Sequence, residues 1–93
     1  MDFGQALAAL KAGERVERAG WNGKGMWVAL MPGYPDGVPA NEETARAHRL
    51  SVGETVVVRP YLVMRAADGA LVNWTVSQSD ALAEDWSVVT PEG

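Results

Sequence analysis

The sequence predicts a small α+β domain in which an N-terminal helix packs on a mainly antiparallel β-sheet and a short helix lies near the C-terminus. Three observations predict it. An apolar stripe of helical period opens the chain in "MDFGQALAALKAG". Two dipeptides that favour tight turns, Asn22-Gly23 and Asp68-Gly69, each sit between apolar runs. "SQSDALAEDW" carries a second helix-start pattern just before a last apolar run. With 93 residues the chain is expected to form one domain, positions 1–93. The order helix, hairpin, loop, hairpin, short helix, strand belongs to the α+β class.

The elements follow in order. Asp2 caps the first helix, and Gln5 three residues later completes a capping-box pattern. Phe3, Leu7 and Leu10 share a stripe with Ala6 beside them, and Gly13 is the natural stop. "RVERAG" and "GMWVALM" are two short strands joined through Asn22-Gly23. "PGYPDGVPA" reads as a proline- and glycine-rich loop, and "NEETARAHRL" as a short helix capped by Asn41. "TVVVRPYLVMR" is a strand candidate with apolar residues on both faces; Pro60 implies an edge position or a bulge. Asp68-Gly69 turns the chain into "ALVNWTV", Ser77 caps a helical turn with Asp80 at the capping-box position, and "WSVV" is the last strand.

Composition narrows the function. So short a chain is marginally stable alone, and 47% hydrophobic residues with four tryptophans favour self-association. There is no cysteine and a single histidine, His48, so no metal site and no cofactor is expected. A net charge of −4 argues against DNA or long RNA, whose polyanionic backbone requires a basic face. A small anionic ligand needs only a few local positive charges. "MDFGQALAALK" does not read as a secretory signal, and no apolar run approaches the roughly 20 residues of a membrane span. The expectation is a soluble intracellular protein with no membrane partner.

Two stretches carry candidate binding residues. In "ERAGWNGKGMWVALM", Trp21 precedes a glycine-rich turn bearing Lys24, and the patterns of a P-loop and of a dinucleotide fingerprint are absent. A tight turn accounts for Asn22 and Gly23 but not for the indole, which is either packed on the helix or offered to a flat ligand. Backbone donors around Gly23 and Gly25, with Lys24 and, nearby in sequence, Arg15 and Arg18, suit an anion. In "NWTVSQSD", Trp74 stands among Asn73, Gln78 and Asp80, a set that suits a nucleoside: a face for the base, amides and a carboxylate for its edges and hydroxyls. Capping accounts for Ser77 and Asp80 without any ligand. No spacing supports a Ser-His-Asp triad, and His48 reads as a surface residue.

"DFGQALAALKAGERVERAGWNGKGMW" and "PYLVMRAADGALVNWTVSQSDALAEDW", in that order, resemble the Thoeris anti-defence protein two family. The resemblance is carried by the two ends; residues 32–59 add little. Two positions depart from the family pattern: Asn73 stands where Pro is usual, and Ala66 where Thr is frequent. The resemblance implies a phage or prophage protein acting in the bacterial host cytoplasm. Such proteins are sponges, which hold cyclic ADP-ribose isomers made by a Thoeris TIR-domain enzyme, and in some members cyclic oligonucleotides, without cleaving them. It further implies a homotetramer with pockets where protomers meet. The rival readings are an enzyme that degrades the same signals, with Asp80, Glu84, Asp85 or His48 as acid or base, and a structural or protein-binding module.

Overall fold

A computed structural model describes residues 1–22 and 24–91 of the chain. The fold is α+β. Its described elements are α1 (Phe3–Lys11), β1 (Val16–Arg18), β2 (Trp27–Met31), β3 (Tyr34–Pro39), α2 (Glu42–His48), β4 (Thr55–Val58), β5 (Tyr61–Arg65), β6 (Leu71–Asn73), α3 (Gln78–Leu82) and β7 (Trp86–Val88). Contacts divide the chain into two compact units, Met1–Met31 with Leu62–Gly93, and Pro32–Tyr61.

The first unit carries a five-stranded sheet in the order β6-β5-β2-β1-β7. β1 is antiparallel to β2, with Val16 opposite Val28, and to β7, with Val16 opposite Val88 and Arg18 opposite Trp86. α1 forms as its sequence requires. The Asp2 carboxylate accepts from the Gln5 N–H at 2.8 Å, and the Gln5 side chain accepts from the Asp2 N–H at 2.9 Å. The helix lays Ala6 and Leu10 on Val16, Val28 and Trp86, and these five buried residues are the core of the unit. Phe3 and Leu7, the rest of the expected stripe, pack on it half-buried.

The first hairpin differs from its expected form. β1 ends at Arg18 and β2 starts at Trp27, so both strands are shorter than the sequence suggests, and the expected Asn22-Gly23 turn includes Gly23, which lies outside the described residues. The second hairpin is as expected. Met64 pairs with Val72 and Arg65 with Leu71, and the Ala66 N–H donates to the Ala70 carbonyl at 2.8 Å. Gly69 takes φ +90°, a conformation that favours glycine, and the Asp68 carboxylate accepts from the Ala70 N–H at 2.9 Å.

In the second unit the proline-rich stretch is a strand, not a loop. β3 pairs antiparallel with β4, Tyr34 opposite Val58 and Pro39 opposite Thr55, with a register shift between Tyr34 and Val38. Both strands of a two-stranded sheet are edges, where residues lacking an N–H are tolerated, and the irregularity absorbs Pro35 and Gly37. α2 follows Asn41, whose side chain accepts from the Thr44 N–H at 2.8 Å. The single long strand expected from "TVVVRPYLVMR" is two strands, β4 and β5, separated at Arg59-Pro60 and belonging to different sheets. Pro60 cannot continue a ladder, so the pairing ends there. Val57 is exposed, so only one face of β4 is covered.

Candidate functional site

Four aromatic rings converge beside α1. Trp86, buried at the start of β7, is the hub. Phe3 lies 5.4 Å from it and Trp21 5.3 Å from it between centroids, with Trp74 at 6.2 Å. Trp21 meets Trp86 at 83° and Trp74 meets it at 80°, the edge-to-face arrangement that ring quadrupoles favour. Trp21 and Trp74 are half-buried, so part of each ring is at the surface.

Asp80 in α3 ties this cluster together. Its Oδ1 accepts from Arg18 Nη1 at 2.7 Å and from Trp21 Nε1 at 3.3 Å, its Oδ2 from Ser77 Oγ at 2.8 Å, and its backbone carbonyl from Trp86 Nε1 at 2.9 Å. Asp85 completes the arrangement. Its Oδ1 accepts from Arg18 Nε at 2.8 Å and its Oδ2 from the Gly20 N–H at 2.8 Å. Burial pushes the Asp80 carboxyl up, but the hydrogen bonds from Arg18, Ser77 and Trp21 outweigh it and hold it below the usual carboxylate range. The Arg18 guanidinium likewise holds Asp85 low against partial burial, and the Gly20 N–H adds to the effect. Asp85 first, then Asp80, raise Arg18.

The structure therefore brings together four residues singled out in the sequence: Arg18, Trp21, Trp74 and Asp80. It changes the reading of two. Arg18 is not a free charge for a phosphate, because two carboxylates surround it and the trio carries a net negative charge. Asp80 is more than a helix cap, because its side chain spans from Ser77 to Arg18 and Trp21. Asn73 is exposed on β6 opposite Val63, and Gln78 is exposed at the start of α3. Asn22 and Lys24 are exposed between β1 and β2; Gly23 lies outside the described residues.

A second cationic grouping unites Arg15, named beside the glycine-rich turn in the sequence, with Trp27 and Arg65, which the sequence did not single out. Trp27 on β2 has the guanidinium carbons of Arg15 and Arg65 at 4.6 and 4.9 Å from its ring centre. The legible signal is alternation: Val28 is buried, so Trp27 must stand on the other face of the strand, where a large apolar ring needs a partner. In the second unit, Thr44, His48, Leu50 and the strand residues Val56, Val57 and Val58 line an open cleft of about 380 Å³.

A family model described as a Thoeris anti-defense 2-like domain matches residues 1–89. The chain belongs to that family. It is also similar to Thoeris anti-defense 2 of Bacillus phage SP01, at 36% identity over 93 residues, covering 97% of this chain and 96% of the phage protein. The match of this anti-defense 2-like chain runs through the central segment as well as the two ends. Membership of the family supports an anti-defence role. No helix among the described residues is long and apolar enough to cross a membrane.

Proposed function

We propose that this protein is an anti-defence sponge of the host cytoplasm, which binds cyclic ADP-ribose-type signalling nucleotides and holds them uncleaved, so that the Thoeris effector is not activated. Family membership over nearly the whole chain carries the reading. In it, Trp21 and Trp74 offer the exposed parts of their rings to a base, while Asn73 and Gln78 supply donors and acceptors for its edges. Asn22, Gly23 and Lys24 meet the diphosphate. Arg18 and Asp80 position the aromatic rings. The unit works as one domain over residues 1–93, as a homo-oligomer, with the tetramer favoured, whose pockets lie where protomers meet. Cyclic oligonucleotides are a second ligand class.

The state of the carboxylates supports a binder over an enzyme. Asp80 and Asp85, two of the groups that an enzyme would have to use, are both engaged as hydrogen-bond acceptors with lowered pKa values. A carboxylate so stabilised as the anion is a weak base and, at neutral pH, no acid. The test is recovery of ligand. The protein is incubated with a cyclic ADP-ribose isomer, separated from free ligand, heat-denatured, and the released compound identified by mass spectrometry. Stoichiometric intact ligand is the expected result. A converted product indicates an enzyme, and no retained ligand removes the sponge reading.

A further inference from the structure

We propose that Arg15, Trp27 and Arg65 form a diphosphate-binding platform on the sheet face opposite α1. Val16 and Val28 point into the core beneath α1, so their neighbours Arg15 and Trp27 lie on the other face. Arg65 joins that face from β5, since its neighbour Met64 packs on the core. Both guanidiniums are held in place twice. Each lies within 5 Å of the Trp27 ring centre, and each donates to a main-chain carbonyl, Arg15 Nη2 to Thr90 at 3.0 Å and Arg65 Nη1 to Gly25 at 2.7 Å.

That leaves most of their donors unused. A guanidinium has five N–H groups in a planar fork that matches phosphate oxygens. Among the described residues the ion pairs involve Arg18 alone, and none of the described carboxylates pairs with Arg15 or Arg65. Glu17 shares this face but is not paired with either. In a chain of net charge −4, two fixed cations over one ring are an unusual local concentration of positive charge. Lys24, the chain neighbour of Gly25, adds a third on the loop that Arg65 anchors. Side chains already ordered by the indole lose little freedom on binding, which favours affinity. Trp27 is the mount for the two charges; because Trp21 and Trp74 of the same protomer pack on the α1 side of the sheet, a nucleotide whose diphosphate rests here would have its base seated by a neighbouring protomer.

The assignment rests on the sponge reading for its natural ligand, but its chemistry is tested independently. Isothermal titration of the full chain is run with inorganic pyrophosphate and, separately, with cyclic ADP-ribose. The variants are Arg15→Gln, Arg65→Gln and Arg65→Lys, with Arg46→Gln on α2 as control. Gln at position 65 removes the charge and leaves a neutral polar amide, and Lys keeps the charge but loses the fork. Each Arg→Gln change is expected to weaken both ligands by about tenfold or more, as loss of a charge-assisted bond implies, with Arg65→Lys intermediate and Arg46→Gln unchanged. Pyrophosphate binding that is lost in the two Gln variants upholds the platform even if cyclic ADP-ribose does not bind at all, in which case the sponge reading alone fails. Pyrophosphate binding that is absent in the wild type, or unaffected in folded Arg15 and Arg65 variants, overturns the platform, and intact cyclic ADP-ribose binding then leaves the sponge reading standing. Should Arg65→Gln fail to fold, the same comparison is made on Arg65→Lys and Arg15→Gln.

Discussion

Asp80 receives the Arg18 guanidinium, the Trp21 indole N–H and the Ser77 hydroxyl on one carboxylate, so its charge state is coupled to the aromatic cluster. Its pKa and that of Asp85 lie below the ordinary 3.8. In acid the unfolded chain therefore takes up protons before the folded one does, and stability rises with pH through that window. The melting temperature should be steady above about pH 5 and fall as pH drops through 3.8 toward the lowered folded values. Asp80→Asn should flatten part of that fall, and an unchanged acid profile in the variant would detach Asp80 from stability. Trp21 is the second test. Trp21→Ala removes ring contacts with both Trp74 and Trp86 and should cost about 3 kcal/mol. Trp21→Phe keeps most of the packing and loses the bond to Asp80, for about 1 kcal/mol. Chemical denaturation of the two variants separates ring packing from hydrogen bonding. Equal losses would mean that the indole N–H dominates. None of this was legible beforehand, because the partners Arg18, Asp80 and Asp85 are more than 60 positions apart in sequence on either side of the ion pairs. Local pattern displayed the cap at Ser77, which is real, and gave no sign of the long-range contacts.

Elements set by local chemistry were the readable ones. The capping box of α1, the Asn41 cap of α2 and the Asp68-Gly69 hairpin each draw on residues a few positions apart, and each is present. Elements that depend on pairing were misread. β3 contains Pro35, Gly37 and Pro39, which weigh against a strand, yet β4 supplies a partner on which an irregular edge strand forms. The apolar run ahead of Arg65 gave no sign that its halves belong to different sheets. Gly33 tests how closely the start of β3 is fitted. Its φ is +66°, and an added Cβ would stand 2.7 Å from the Arg59 carbonyl oxygen and against that of Val58 as well. Both obstacles are backbone and cannot swing aside. Gly33→Ala should therefore destabilise by more than the ~1 kcal/mol of a simple left-handed penalty, with amide exchange accelerating across β3 and β4. Wild-type exchange in the variant would mean that the turn yields without cost.

At the scale of the whole molecule, apolar surface is the dominant unspent feature. Leu82 is 73% exposed, Leu71 71%, Val52 65% and Val57 61%, in a chain of 93 residues. Single exposed aliphatics are ordinary, but a chain this small has little core to lose and gains most from covering them. Leu71 pairs across the strands with Arg65, so the sheet face that carries the cations also carries exposed apolar area. An oligomer that covered Leu71 would bring a second copy against Arg65 and its neighbours, which is how a pocket between protomers would acquire both charge and apolar walls. Light scattering at micromolar concentration should give a mass near four times the 10.0 kDa of one chain. Leu71→Asp places a charge on that face without disturbing the core, and should shift the mass downward while leaving the helical signal in circular dichroism unchanged. Nucleotide affinity should fall in parallel with the loss of mass. A wild-type protein that scatters as a monomer would remove the shared-pocket arrangement. A Leu71→Asp variant that keeps its full mass would move the interface to another face of the molecule.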